Sequence, residues 1–215
     1  SSYIAEWAEE TFGAEYADEI ADIQAGYYRL QAAGKDSHVW FVNYSEEQIE
    51  QRISNWRALA AHALDAENRI PERLKDAYFE LVSYPIRGAA MINEYQLLAR
   101  RSMVRATAGE ADEAMADAER VKTMFGELNA WTNHYNNEVQ GGKWKDFFNW
   151  RPYHWYYSSQ MDVPVATAPM LEALHRAPAP RSLAVDEALS PEGVTIQCEN
   201  EGDIELWIKA LTPVR

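Results

Sequence analysis

The stretch SEEQIEQRISNWRALAAHAL, residues 45–64, decides the fold class. Its apolar residues Ile49, Ile53, Trp56, Leu59, Ala60, Ala63 and Leu64 keep returning to one side of a helix with 3.6 residues per turn. Ser45 and Gln48, three apart just ahead of that stripe, have the spacing of a capping box, in which each side chain satisfies a backbone N–H near the helix start. The pattern predicts an amphipathic helix, whose apolar face must be buried against partners of the same kind.

Those partners flank it on both sides. Before it, Tyr16, Ile20, Ile23, Tyr27 and Leu30 form a stripe over residues 14–33, with Gly34 placed to end the helix, and a shorter helix is expected around residues 4–12. After it, Pro71 suits a first helical turn, and Leu74, Tyr78, Leu81 and Val82 supply a buried face. Pro85 then removes a backbone donor and crowds the turn before it, which predicts a kink or a break. The pattern resumes through Ile86, Ala89, Ala90, Leu97 and Leu98 to about Ala106, and Gly109 separates it from a helix over residues 110–139. That helix carries Val121, Met124, Phe125, Leu128 and Tyr135 on its stripe and closes at Gly141-Gly142. The expected fold is mainly α, an antiparallel bundle of four to five long helices.

Beyond Gly142 the pattern changes. Between Trp144 and Tyr157, eight of fourteen residues are aromatic, no single period sorts them, and Pro152 interrupts any helix. An irregular aromatic excursion is predicted. Prolines recur from Pro164 to Pro180, so residues 143–180 read as the excursion plus a Pro-rich linker, packed on the bundle or leaving it. Residues 181–215 read as a β-rich tail, with strands at 194–198 and 204–208 around a turn-prone Asn200-Glu201-Gly202-Asp203. The domain division is therefore 1–142, 143–180 and 181–215.

Composition narrows the function classes. With 215 residues, 47% hydrophobic and 25% charged, the chain has the balance of a globular protein. Acidic residues outnumber basic ones 34 to 20, for a net charge of −14, a field that repels polyphosphate and anionic lipid; neither nucleic acid nor a membrane is expected as a partner. Glu6, Glu9, Glu10, Glu15, Asp18, Glu19 and Asp22 all precede the first basic residue, Arg29, and read as a solvated acidic face. The single cysteine, Cys198, rules out an intrachain disulfide and reads as a packed side chain rather than a nucleophile. The opening Ser1-Ser2 suggests a processed protein or a piece of a longer one.

Catalytic signals are sparse. Glu172-x-x-His175 is the one match to a di-metal bundle motif, where two such motifs and further glutamates are needed, and His134 with Glu138 reads as a surface hydrogen bond. No metal and no cofactor is expected. Glu80 and Glu94 are carboxylates set among apolar residues; each reads as a hydrogen-bond acceptor between helices, with a perturbed acid as the alternative. The aromatic excursion suits sugar stacking or a protein interface, against the alternative that its rings plug the end of the bundle.

Three stretches carry a family resemblance: Glu80-Leu-Val-Ser-Tyr-Pro-Ile-Arg-Gly-Ala-Ala-Met-Ile-Asn-Glu-Tyr95, then Tyr135-Asn-Asn-Glu-Val-Gln-Gly-Gly-Lys-Trp144, then Met161-Asp-Val-Pro164. In this order they resemble the helical domain of the xylan α-glucuronidases of glycoside hydrolase family 115, and the match spans most of residues 3–165. The resemblance implies an enzyme that removes 4-O-methyl-glucuronic acid from glucuronoxylan, secreted or periplasmic, whose catalytic carboxylates lie on a (β/α)-barrel N-terminal to the helical domain. No barrel is present in this sequence, so the chain alone is expected to be inactive. The implied partners are that barrel, xylan or xylo-oligosaccharide, and a second copy in a homodimer. The aromatic loop of the family corresponds to residues 144–164, which makes Trp150, Tyr153, His154, Trp155 and Tyr156 the expected substrate-binding residues. The run Trp150-Arg-Pro-Tyr-His-Trp-Tyr-Tyr-Ser-Ser159 departs from the family pattern there. Two rivals stand beside this reading: an independent interaction module, and a complete small enzyme using Glu94 with His154.

Overall fold

The computed structural model describes residues 2–35, 39, 42–148 and 163–176. All of these lie in the first of two compact units, Ser1–Arg176; the second is Ala177–Arg215. The expected strands and the Pro178-Ala179-Pro180 linker fall outside the described residues.

The described residues are mainly helical. Helix α1 (Ser2–Phe12) and α2 (Ala14–Ala32) are followed by α3 (Glu46–Arg69) and α4 (Glu72–Tyr78). A π-helical turn (Phe79–Ser83) joins α4 to α5 (Tyr84–Ala108), and α6 (Ala111–Asn137) and α7 (Ala168–Arg176) complete the set. Contacts between the long helices run in opposite directions along the chain. On α2 and α3, Glu19 meets Arg69 while Gly34 meets Arg52; on α5 and α6, Arg101 meets Asp117 while Tyr84 meets Tyr135. The bundle is antiparallel.

The capping box forms as expected: the Ser45 N–H donates to Gln48 Oε1 at 2.9 Å, and the Gln48 N–H donates to Ser45 Oγ at 3.2 Å. From there α3 buries Ile49, Ile53, Trp56, Ala63 and Ala66. One core forms where α1, α2 and α3 meet the π turn, through Phe12, Ile20, Ile23, Tyr78, Val82 and Ile86. A second lies between α3, α5 and α6, through Ile53, Tyr95, Leu98, Val121, Met124 and Leu128. Where α2 meets α3, residue 26 is glycine: a Cβ there would sit 2.9 Å from Leu59 Cδ1, and the Leu59 side chain would have to shift.

Pro85 does not break the helix. It has no N–H for the carbonyl four residues back, Leu81, and the chain widens into the π turn around that defect. The Leu81 oxygen accepts instead from Gln24 Nε2 of α2 at 2.9 Å. A buried amide thus fills the hydrogen bond that proline removed.

Three expectations need correction. Leu81 and Leu64, placed on buried stripes, are exposed. The extra residue in the π turn shifts the phase of the helical stripe, so Val82 and Ser83 face inward and Leu81 does not. For Leu64 the bundle buries Ala63 and Ala66, a narrower face than the stripe implied. The stretch after Pro164, read as linker, contains α7: Pro169 fits the first turn, the Thr167 carbonyl accepts from the Leu171 N–H at 3.0 Å, and Met170, Leu171 and Leu174 pack beside Ala106 and Ala114. Residues of the acidic run other than Glu19 lie exposed on α1 and α2, as a solvated face requires.

Candidate functional site

The π turn sets Phe79 and Tyr84 against the last turns of α6, which present Trp131, His134 and Tyr135. Ring centroids lie 4.7 Å apart for Phe79 and Trp131 and 4.4 Å for Tyr84 and Tyr135. Beyond α6 the chain reverses through Gly141 and Gly142, both with positive φ. At Gly142 a Cβ would meet the Asn137 carbonyl oxygen at 3.0 Å, so the reversal calls for glycine. It brings Trp144, Phe147 and Phe148 onto the same cluster: Phe148 lies 4.9 Å from Tyr135 and 5.3 Å from Tyr84.

Directional bonds hold this second half in place. Trp144 Nε1 donates to Glu80 Oε1 at 2.8 Å, linking the reversal to the π turn. Asn136 holds the backbone of Phe148 from both sides, donating from Nδ2 to its carbonyl at 2.5 Å and accepting its N–H at Oδ1 at 3.0 Å. The Gln140 N–H donates to Asp76 Oδ2 at 3.0 Å. On the flank, the Arg87 guanidinium lies 4.0 Å over the Trp131 ring, with Glu67 at 3.7 Å; burial holds its pKa below the usual arginine value. Burial likewise raises the phenols of Tyr84 and Tyr135 above the ordinary tyrosine range, so both stay neutral hydrogen-bonding groups. Phe147 is 65% and Phe148 37% exposed, an apolar face open to solvent beside these polar groups. Flat rings with one exposed side suit the C–H face of a sugar or the apolar centre of a protein contact.

The expected substrate-binding residues Trp150, Tyr153, His154, Trp155 and Tyr156 lie outside the described residues, as do Cys198 and the first half of the Met161–Pro164 stretch. Glu94 is not an acid of raised pKa. It accepts from Arg57 Nε at 2.8 Å and Nη2 at 2.6 Å, and Arg120 Nε lies 3.4 Å away. Desolvation by burial pushes its pKa up, but hydrogen bonds and charge from the two arginines outweigh it and hold the carboxyl below its ordinary value. Glu80 serves as an acceptor between elements, the structural role. His134 Nδ1 meets Glu138 at 2.9 Å at the exposed end of α6, an i,i+4 surface pair. Glu172 and His175 lie exposed on α7, and among the described residues no group of three or more potential ligands could hold a metal ion. No described helix is long and apolar enough to cross a membrane.

Sequence reading missed Phe79, Tyr84 and Trp131 as members of this face. The available signal was the five-residue spacing of Phe79 and Tyr84 just before Pro85, which only a π turn brings to one side.

The described residues thus form an antiparallel helical bundle with a ring-rich end and an interior carboxylate held by arginines, and a similar fold occurs among solved structures. The chain is similar to BtGH115A, a family GH115 4-O-methyl-α-glucuronidase with specificity for decorated arabinogalactans, with a TM-score of 0.63 and 25% identity over 79% of this chain. The match takes up 23% of that enzyme's chain. No protein-family model and no curated protein matches this sequence. The chain is thus a glycoside hydrolase-related helical domain, similar in fold to part of a GH115 glucuronidase.

Proposed function

We propose that this chain is the accessory helical domain of a secreted or periplasmic glycoside hydrolase that releases 4-O-methyl-glucuronic acid from a decorated polysaccharide, glucuronoxylan in the first instance. The bundle supplies scaffold and subunit contacts, residues 144–164 form an aromatic wall near the substrate cleft, and bond cleavage belongs to a barrel domain of a longer chain. The observation that carries this reading is the extent of the match: most of the similar enzyme lies outside the 23% that this chain covers. A described interior whose Glu94 carboxylate is already saturated by arginines supports it.

The expected result is no release of 4-O-methyl-glucuronic acid by this chain alone, from either glucuronoxylan or decorated arabinogalactan, under conditions where an intact family GH115 glucuronidase is active. Turnover by the isolated chain would overturn the division of labour. A second reading, a self-associating interaction module, is favoured by the exposure of Phe147 and Phe148. Sedimentation with and without xylo-oligosaccharide separates the two: tight self-association that sugar does not alter favours the module.

A further inference from the structure

The first two stretches that carry the resemblance are 40 residues apart in the chain, 95 to 135, yet they meet at the aromatic end. Their meeting is built from few directional bonds. Glu80 is in the π turn and holds the Trp144 indole; Asn136 holds both backbone groups of Phe148; Asp76, just before the π turn, holds the Gln140 N–H. The π turn itself is tied to α2 by the Gln24 amide. On the far side of residues 149–162, Val163 packs against the apolar cluster of Tyr95, Leu98, Val121 and Met124, and the Ala166 N–H donates to Ser102 Oγ at 2.9 Å. The described residues on either side of that interval, Phe148 and Val163, are therefore both held on the bundle, Phe148 by the more polar contacts.

We infer that Glu80 and Asn136 are positioning residues: together they form a two-point clamp that fixes the backbone from Trp144 to Phe148, and so the exposed rings of Phe147 and Phe148, on the bundle. Ring packing alone would not do this, because contacts among Phe147, Phe148 and Tyr135 are tolerant of rotation, whereas a paired amide at Asn136 accepts one backbone orientation. The indole N–H of a half-buried tryptophan needs a partner, and the Glu80 carboxylate supplies a charge-assisted one. The clamp explains why Glu80, Asn136 and Trp144 occur together in stretches otherwise distinguished by rings. Its functional consequence, a fixed ring face of Trp144, Phe147 and Phe148 offered to sugar, rests on the reading given under Proposed function; the clamp itself rests on geometry.

The test is nuclear magnetic resonance on the full 215-residue chain, with the Trp144 indole Nε1 proton and the Phe148 amide proton as reporters, alongside titration with a glucuronate-bearing xylo-oligosaccharide. Glu80→Ala is expected to speed exchange of the Trp144 indole proton by about tenfold or more and Asn136→Ala to do the same at the Phe148 amide, with little change in helix content. Glu80→Gln, whose side-chain carbonyl still accepts, should retain most of the protection, whereas Glu80→Met, of similar bulk but with no oxygen acceptor, should lose it as alanine does; protection kept in Glu80→Met would mean that residue 80 acts by bulk alone. If Glu80→Ala unfolds the bundle, Trp144→Phe removes the same bond from the other side, and faster exchange at Phe148 then supports the clamp. Unchanged exchange at both reporters would overturn it. Loosened reporters with sugar affinity reduced about tenfold support both the clamp and the substrate-facing wall; loosened reporters with no sugar response in the wild-type chain retain the clamp and count against the wall.

Discussion

Helices α5 and α6 are joined twice, by different physics. Near the π turn the joint is made of rings, with Phe79, Tyr84, Trp131, Tyr135 and Phe148 in contact and only a few hydrogen bonds to set direction. Farther along, the joint is charged. Asp117 accepts from Arg101 at 2.8 Å through both oxygens and from Arg105 at 3.2 Å, Arg105 reaches on to Glu46, and Glu94 is held by Arg57 and Arg120. The ring joint depends on burial and packing, which neither salt nor moderate pH removes, and it leaves apolar area open. The charged joint depends on ionisation and alignment, and its carboxylates are already saturated. The ring joint leaves exposed apolar rings that a ligand or partner could cover; the charged one sets helix register.

The sharpest way to break that contrast is Phe79→Ala. Phe79 is 5% exposed and touches four rings, and its truncation should cost about 4 kcal/mol in denaturant unfolding. A loss below about 1 kcal/mol would mean that this end is not close-packed. Asp117→Ala comes next. It takes the shared buried carboxylate from Arg101 and Arg105, whose side chains are only 15% and 18% exposed, leaves them the more exposed Glu46, Glu50 and Glu110, and should cost about 2–3 kcal/mol, with a dependence on salt that Phe79→Ala lacks. Gln24→Ala leaves the Leu81 carbonyl without its replacement donor and should cost about 1–2 kcal/mol, visible as a lower unfolding midpoint with an unchanged m value.

The smallest effect is expected from pH. The folded pKa of Glu94 lies below its unfolded value near 4.5, so the stability it contributes is complete above about pH 4.5 and is lost as pH falls through the folded value. Glu94→Gln should flatten that acid limb, whereas Phe79→Ala should lower the whole profile without changing its shape. An acid limb identical in wild type and Glu94→Gln would show that the Arg57 and Arg120 contacts do not persist in solution.

Much of the bundle was legible because helical periodicity and caps are local. Ser45 and Gln48 marked the start of α3, and Gly109 marked the end of α5, where its φ of 86° is adopted. The role of Glu94 as an acceptor between helices was legible too, since a carboxylate among apolar neighbours needs partners, although which arginines would supply them was not. The site was legible only in outline. The aromatic density after Gly142 drew attention to Trp144, Phe147 and Phe148, but the rings they pack on come from stretches at 79–84 and 131–135 that gave no sign of converging. Leu81 and α7 were misread for related reasons: a π turn shifts a stripe by one residue, and a proline-bordered stretch can hold a helix when its first turn takes the proline.

The amino-acid order alone determined that this chain builds long amphipathic helices, that something unusual happens at Pro85, and that an aromatic segment follows Gly142, because each of these follows from interactions within a few residues. Only the tertiary structure decided that Gln24 would repair the proline defect, that Glu80 would hold Trp144, and that the arginines would neutralise Glu94. Those pairings join residues 26 to 64 positions apart, and they exist only once burial of the stripes has brought the helices side by side.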